Sequence, residues 1–167
     1  GLISLLMNRN NIRAAVLTIS DTRKPETDVS GDKLAELLIA FGAATVERSI
    51  VTDDLEQLSQ TLFSLAQRED INLIITTGGT GCGPRDNTPE ATRAVIEREA
   101  PGLAEAMRRE TASKTPTSML SRGICGIRGT TLIVNLPGSP KGVEECFEVI
   151  RPVLAHAIAQ ISGDTVH

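Results

Sequence analysis

A chain of 167 residues with 17 Lys and Arg against 21 Asp and Glu, 40% apolar residues and a formal charge of −4 has the profile of one globular domain, which excludes a disordered or collagen-like chain. The absence of Trp and Tyr removes the aromatic platforms on which single-stranded nucleic acid stacks, and net acidity opposes a phosphate-tracking surface, so nucleic acid is not an expected partner. No apolar run approaches the ~18 residues of a membrane helix, and the opening GLISLLM lacks the basic flank and cleavage site of a leader, so a cytoplasmic protein without membrane contact is expected.

Residues 1–11 read as an N-terminal extension and 12–163 as the domain. The first predicted strand is IRAAVLTIS (12–20), followed by the polar loop SDTRKPETDVSG (20–31). A helix is predicted from Ser30 to Phe41, with Leu34, Leu37 and Leu38 on one face, then a strand ATVERSIV (44–51). The acidic turn VTDD (51–54) leads into a helix from Asp53 to Gln67 with Leu55, Leu58, Leu62 and Leu65 at helical spacing. The apolar strand INLIITT (71–77) runs into TTGGTGCGPRDNTPE (76–90). Thr88 before Pro89 reads as the N-cap of a helix reaching about Glu99, where Pro101-Gly102 interrupts, and a further helix follows to about Ala112. The strand TLIVNL (131–136) leads through NLPGSPKG (135–142) into a last helix from about Pro140, in which Pro152 predicts a bend or split. Strands alternating with helices indicate a parallel, doubly wound α/β sheet, whose ligands gather outside the carboxyl ends of the strands.

Cysteine and histidine narrow the chemistry. Cys82, Cys125 and Cys146 form no C-x-x-C pair, and only His156 and His167 could join them, so neither a zinc site nor a disulfide framework is expected. A Ser/His/Asp or Cys/His machine is disfavoured for the same reason. Catalysis has to lean on carboxylates, backbone amides, Arg or Lys, or a hard metal ion.

The strongest local signal is the third loop. Gly78, Gly79, Gly81 and Gly83 directly follow an apolar strand, so the backbone can turn several N–H groups toward an anion without interference from a Cβ. It is neither a Walker A loop, which ends in Gly-Lys-Ser/Thr, nor G-x-G-x-x-G, because Pro84 stands where the last glycine belongs. Asp86 follows at once, and Asp53 and Asp54 close the preceding strand on the same sheet edge. A carboxylate beside a phosphate loop suits Mg²⁺, although Asp53 also stands where a helix N-cap would. From Thr111 to Gly142 the chain carries Lys114, Arg122, Arg128 and Lys141 and no acidic residue, a basic stretch suited either to an anionic ligand or to a solvated face. Within it Arg122 can fork onto phosphate and Asn135 offers both donor and acceptor.

Assembled, these residues resemble the molybdenum-cofactor biosynthesis family that includes MoaB, the Mog-type molybdopterin adenylyltransferases and the G domains of plant Cnx proteins and gephyrin. The resemblance covers nearly the whole chain and is carried by TISDTR (18–23), DVSG (28–31), Asp53, TTGGTGCGPRDNTPEAT (76–92), PGLAEAMR (101–108) and TSMLSRGICGIRGTTLIVNLPGSPKGVEECF (117–147). It implies a three-layer α/β/α sandwich with a mostly parallel sheet, a homotrimer or multiple of three, contact with other cofactor-biosynthesis proteins, and molybdopterin binding. In catalytic members the terminal phosphate of molybdopterin attacks the α-phosphorus of Mg-ATP, giving adenylylated molybdopterin and pyrophosphate. By motif, Asp53 and Asp86 take the catalytic and Mg²⁺-binding roles. Gly78, Gly79, Thr80 and Gly81 match the phosphate loop, Ser121, Asn135, Pro137 and Gly138 match the pterin side, and Ser20, Asp21, Arg122 and Ser139 join them as cofactor-binding residues. The compact length and the ISDTR opening are similar to the MoaB branch, some of whose members keep the fold as a non-catalytic binding or trimeric scaffold protein.

Overall fold

A computed structural model describes residues 11–163. The extension expected over 1–11 therefore lies, apart from Asn11, outside the described residues, as does His167. Among the described residues, six strands form one sheet: β1 (Arg13–Ile19), β2 (Ala44–Val51), β3 (Leu73–Thr77), β4 (Arg98–Glu99), β5 (Cys125–Arg128) and β6 (Thr131–Leu136), in the spatial order β2-β1-β3-β6-β5-β4. β2, β1, β3 and β6 are parallel, while β5 runs antiparallel to both β6 and β4. Among the described residues, five α-helices cover the faces: α1 (Val29–Phe41), α2 (Leu55–Ala66), α3 (Thr88–Val95), α4 (Pro101–Thr111) and α5 (Pro140–Ile161).

The alternation of side chains along each strand divides the core in two. Ala14 and Val16 of β1, Ile75 of β3 and Val134 of β6 pack with Leu34 and Leu38 of α1, Met107 of α4 and Phe147 and Leu154 of α5. Ala15, Leu17, Ile74 and Ile133 point the other way, onto Leu58 and Leu62 of α2 and Ala91 and Val95 of α3. The result is the expected three-layer sandwich, with α1, α4 and α5 on one face and α2 and α3 on the other.

The helix starts are set by local chemistry. Asp28 is the N-cap of α1, its buried carboxylate accepting the Gly31 N–H at 3.0 Å and the Thr18 hydroxyl at 2.8 Å. Gly42 closes α1 in the left-handed region, with φ 98°. Ser139 caps α5 through the Gly142 N–H at 3.0 Å.

Four local expectations differ from the structure. The helix after Thr88 ends at Val95, and Arg98–Glu99 pairs with β5 as a short strand instead of extending the helix. β5 itself, too short and glycine-interrupted to signal a strand, was not expected. The cap of α3 is Asn87, without a side-chain cap bond, and Thr88 lies one residue inside the helix. Of the bend or split expected at Pro152, the split is absent, the last helix being continuous from Pro140 to Ile161.

Candidate active site

β1 lies beside β3, and the chain leaves them toward opposite sides of the sheet, which opens a crevice at their carboxyl ends. The strand register brings the loops level: Thr18 sits opposite Thr77, and Thr77 opposite Leu136. The Gly78 N–H donates to the Leu136 carbonyl at 3.2 Å, the Thr77 hydroxyl to the Pro137 carbonyl at 2.7 Å, and the Ser30 hydroxyl to the Gly138 carbonyl at 2.6 Å. The loops after β1, β3 and β6 are thus tied to one another.

Glycine is required at the first two loop positions. Gly78 and Gly79 have φ of 101° and 70°. A Cβ on Gly78 would lie 2.6 Å from the Ile19 carbonyl oxygen, and one on Gly79 would lie 2.2 Å from the Thr88 hydroxyl. Buried Thr88 staples this turn, its hydroxyl donating to the Gly78 carbonyl at 2.9 Å and its N–H to the Gly79 carbonyl at 3.1 Å. Further along, Asp86 Oδ2 accepts the Gly83 N–H at 2.8 Å, so one loop amide serves the aspartate itself.

The two acidic positions have different surroundings. Asp54, not Asp53, is the N-cap of α2 and accepts the Gln57 N–H at 3.0 Å. Asp53 is left with Oδ1 buried and without a hydrogen-bond partner. Burial, reinforced by the nearby charges of Asp21 and Asp86, pushes the Asp53 carboxyl above its ordinary range. Asp21 is shifted the other way. Hydrogen bonds from Arg85 at 3.0 and 2.9 Å, with a further one from the Asp53 N–H at 3.0 Å, hold its carboxyl below that range.

Two clefts meet across this loop. One, of about 370 Å³, is lined among others by Ser20, Asp21, Ser30, Asp53, Thr77 and Gly78. The other, of about 410 Å³, includes Thr80, Gly81, Cys82, Ser121, Pro137 and Ser139. Gly79, Asp86 and Gly138 belong to both.

Residues 15–156 match the family described as "Probable molybdopterin binding domain". The chain belongs to this family. It is 46% identical over 157 residues to the molybdenum cofactor synthesis protein cinnamon of Drosophila melanogaster, covering 92% of this chain but only 26% of that protein's length. It is 36% identical over 157 residues to a molybdopterin adenylyltransferase of Helicobacter pylori strain J99, covering 92% of this chain and 89% of that one. The solved structure of a molybdopterin biosynthesis enzyme MoaB from Thermus thermophilus superposes with a TM-score of 0.84 at 44% identity, over 91% of this chain and 97% of that one.

Twelve of the fourteen site residues predicted from the sequence of this molybdopterin-binding domain lie around the two clefts, and the structure sets two apart. Asn135 is 3% exposed. Its amide donates to the Thr76 and Thr92 hydroxyls at 3.2 and 3.0 Å, and its carbonyl accepts the Ile124 N–H at 3.1 Å. Both of its amide N–H groups and one lone pair of its carbonyl oxygen are thus engaged inside the fold, joining β6, β3, α3 and the residue before β5. Arg122 faces protein acceptors on Gly81, Asp86 and Glu90. Sequence reasoning assigned Thr88, Ser30 and Arg85 no part in shaping the site; their signal was membership of the motifs, and Ser30 and Arg85 act through partners far along the chain, Gly138 and Asp21. Arg108 is another, its Nη1 donating to the Gly123 carbonyl at 2.7 Å and so fixing the segment that carries Ser121.

Two buried thiols are poor nucleophiles, because burial pushes Cys125 up to about 12 and Cys146 up to about 11. No helix among the described residues is long and apolar enough to cross a membrane.

Proposed function

We propose that this domain binds molybdopterin and adenylylates its terminal phosphate with Mg-ATP, releasing pyrophosphate. The observation that carries the reading is the meeting of two clefts at Gly79, Asp86 and Gly138, which offers two substrates a shared wall. The adenylyltransferase name of the Helicobacter pylori relative, which this chain matches over most of both lengths, supports it.

In the reaction, an oxygen of the pterin's terminal phosphate forms a bond to the α-phosphorus of ATP as the bond from that phosphorus to the bridging oxygen of the β-phosphate breaks. The nucleophile is already ionised at neutral pH, so a strong general base is not needed, and the protein's task is alignment and charge neutralisation. The cleft lined by Thr80, Ser121, Pro137 and Ser139 takes the pterin, and the one lined by Ser20, Asp21 and Asp53 takes the nucleotide. The amino-terminal end of α5, capped by Ser139, turns its partial positive charge toward the pterin cleft.

The residues present fit Mg²⁺. Asp53 keeps a buried carboxylate oxygen with no protein partner and stands in the field of two further carboxylates, an arrangement that a divalent cation relieves. Asp53 and Asp86 would hold it, with phosphate oxygens and water completing the shell, and it would supply charge neutralisation at the transferring phosphorus. Assembly as a homotrimer or multiple of three, a cytoplasmic location and contact with other cofactor-biosynthesis proteins belong to the same reading.

Pyrophosphate release from ATP tests the reaction. Release that requires both molybdopterin and Mg²⁺ is expected, and release at the same rate without the pterin would overturn the assignment.

A further inference from the structure

Arg122 carries a guanidinium in the middle of the basic segment, beside a cleft suited to a phosphorylated ligand, yet its donors point into the protein. Nε donates to the Gly81 carbonyl at 2.7 Å, and Nη2 to the Asp86 carbonyl at 2.7 Å. Glu90 on α3 receives Nη1 at 2.8 Å and Nη2 at 3.1 Å. The backbone N–H of Arg122 completes the set by donating to the Thr80 carbonyl at 2.8 Å. Four of the five guanidinium N–H groups are engaged, so no free fork is left to grip a phosphate.

What these bonds share is the glycine loop. Thr80 and Gly81 lie at its first half, Asp86 at its end and Glu90 on the helix that follows, so one residue spans the loop from side to side. A segment with glycines at 78, 79, 81 and 83 has much backbone freedom to lose, and backbone acceptors fixed by a planar, rigid donor limit that freedom. The Asp86 N–H also donates to the Gly83 carbonyl at 3.1 Å, and its carboxylate accepts the Gly83 N–H, so anchoring the Asp86 carbonyl anchors the carboxylate as well. Glu90 in turn is held ionised, its carboxyl shifted below the ordinary range by Arg122.

We propose that Arg122 is a positioning residue for adenylyl transfer, locking the glycine loop and aiming the Asp86 carboxylate, with Glu90 as the counter-ion that fixes the guanidinium. The proposal rests on the reading of Asp86 as a residue of the transfer site. A phosphate ligand and a loop lock respond differently to substitution. Lysine keeps the charge but cannot bridge Gly81, Asp86 and Glu90 together, and Glu90→Gln removes the counter-ion without touching a ligand.

Hydrogen exchange of the full chain and steady-state kinetics with molybdopterin and Mg-ATP, on wild type, Arg122→Ala, Arg122→Lys and Glu90→Gln, make the test. Expected is exchange over residues 80–86 faster by on the order of tenfold in Arg122→Ala, and faster to a smaller degree in Glu90→Gln, with the β1 and β3 amides unchanged. The kcat of Arg122→Ala should fall about tenfold or more while its KM for molybdopterin stays within about threefold, and Arg122→Lys should not restore turnover. Unchanged exchange in both Arg122→Ala and Glu90→Gln would overturn the proposal, as would a Lys variant with wild-type kcat. If wild type does not turn over, the adenylyltransferase reading fails, and the exchange measurement still decides whether Arg122 locks the loop. An Arg122→Ala chain that does not fold leaves the decision to Glu90→Gln, whose loop exchange must rise for the proposal to stand.

Discussion

The main-chain N–H of Asp53 donates to Oδ1 of Asp21 at 3.0 Å, so the loop after β1 orients the residue that follows β2. Because Arg85 grips the same carboxylate, three loops converge on one exposed aspartate. Asp54 caps α2 in place of Asp53, and Oδ1 of Asp53 is left buried without a hydrogen-bond partner.

The raised carboxyl of Asp53 fixes the sign of its effect on stability. The folded state holds that proton more tightly than the unfolded chain, so stability falls as pH rises from the ordinary carboxylate value of 3.8 through the folded one, and the penalty is fully present at neutral pH. Asp53→Asn removes the charge at nearly constant shape. Calorimetry at pH 7 without Mg²⁺ should give a higher Tm for the variant than for wild type, and added Mg²⁺ should raise the Tm of wild type only. Adenylyl transfer should fall by on the order of 10²-fold or more, with molybdopterin affinity within a few-fold.

Asp21 carries the opposite sign. Its carboxyl is held low by Arg85 and by the Asp53 N–H, so the stability it contributes is present above 3.8 and lost as pH falls through the folded value. Replacing Arg85 by alanine should let the Asp21 carboxyl titrate closer to its ordinary range, which a carbon-13 NMR titration of the carboxyl signal reads directly. An unshifted midpoint in Arg85→Ala would contradict the assigned cause.

Much of this arrangement was legible in the sequence. The four parallel strands show as period-two or fully apolar runs, and the glycine loop as four glycines placed directly after one of them. β4 and β5 were not, because a two-residue strand and CGIR carry too few residues to show a period, and their pairing is made by tertiary neighbours. At the site, residue types were sufficient to pick Asp53 and Asp86 as candidates. They were insufficient for Arg122 and Asn135, whose donors reach acceptors far along the chain, so that polarity alone suggested a ligand where the structure shows protein partners.

The backbone at Gly78 gives a sharp test of the loop geometry. Gly78→Ala meets both a positive φ and a contact with the Ile19 carbonyl, and should cost about 2–4 kcal/mol, lowering Tm by roughly 5–12 °C. Gly102→Ala, at the start of α4 with no atom within 4 Å of the new Cβ, should leave Tm unchanged or slightly higher. Equal effects of the two substitutions in thermal melts would contradict the loop conformation.

Asn135 should behave as a structural residue. Asn135→Ala strips partners from the buried Ile124 N–H and from two threonine hydroxyls, and should destabilise the domain by about 1–3 kcal/mol in urea unfolding. Molybdopterin titrated against the folded variant should bind within a few-fold of wild type. Because the chain has no Trp or Tyr, the pterin dominates the near-ultraviolet spectrum and reports its own binding. A wild-type Tm combined with lost binding would return Asn135 to the ligand site.

Assembly is read by sedimentation equilibrium at micromolar concentration. A mass equal to three, or a multiple of three, copies of the 17.8 kDa chain is expected, and a stable monomer or dimer would contradict it.

Transfer of the adenylyl group at a site built by Asp53 and Asp86 is read by following the α-phosphorus. Protein incubated with molybdopterin, Mg²⁺ and ATP labelled at the α-phosphate should move the label into a pterin product, with Asp53→Asn and Asp86→Asn slower by on the order of 10²-fold or more. Label that never leaves the nucleotide, while molybdopterin still binds, would contradict adenylyl transfer and leave a domain that holds the pterin without adenylylating it.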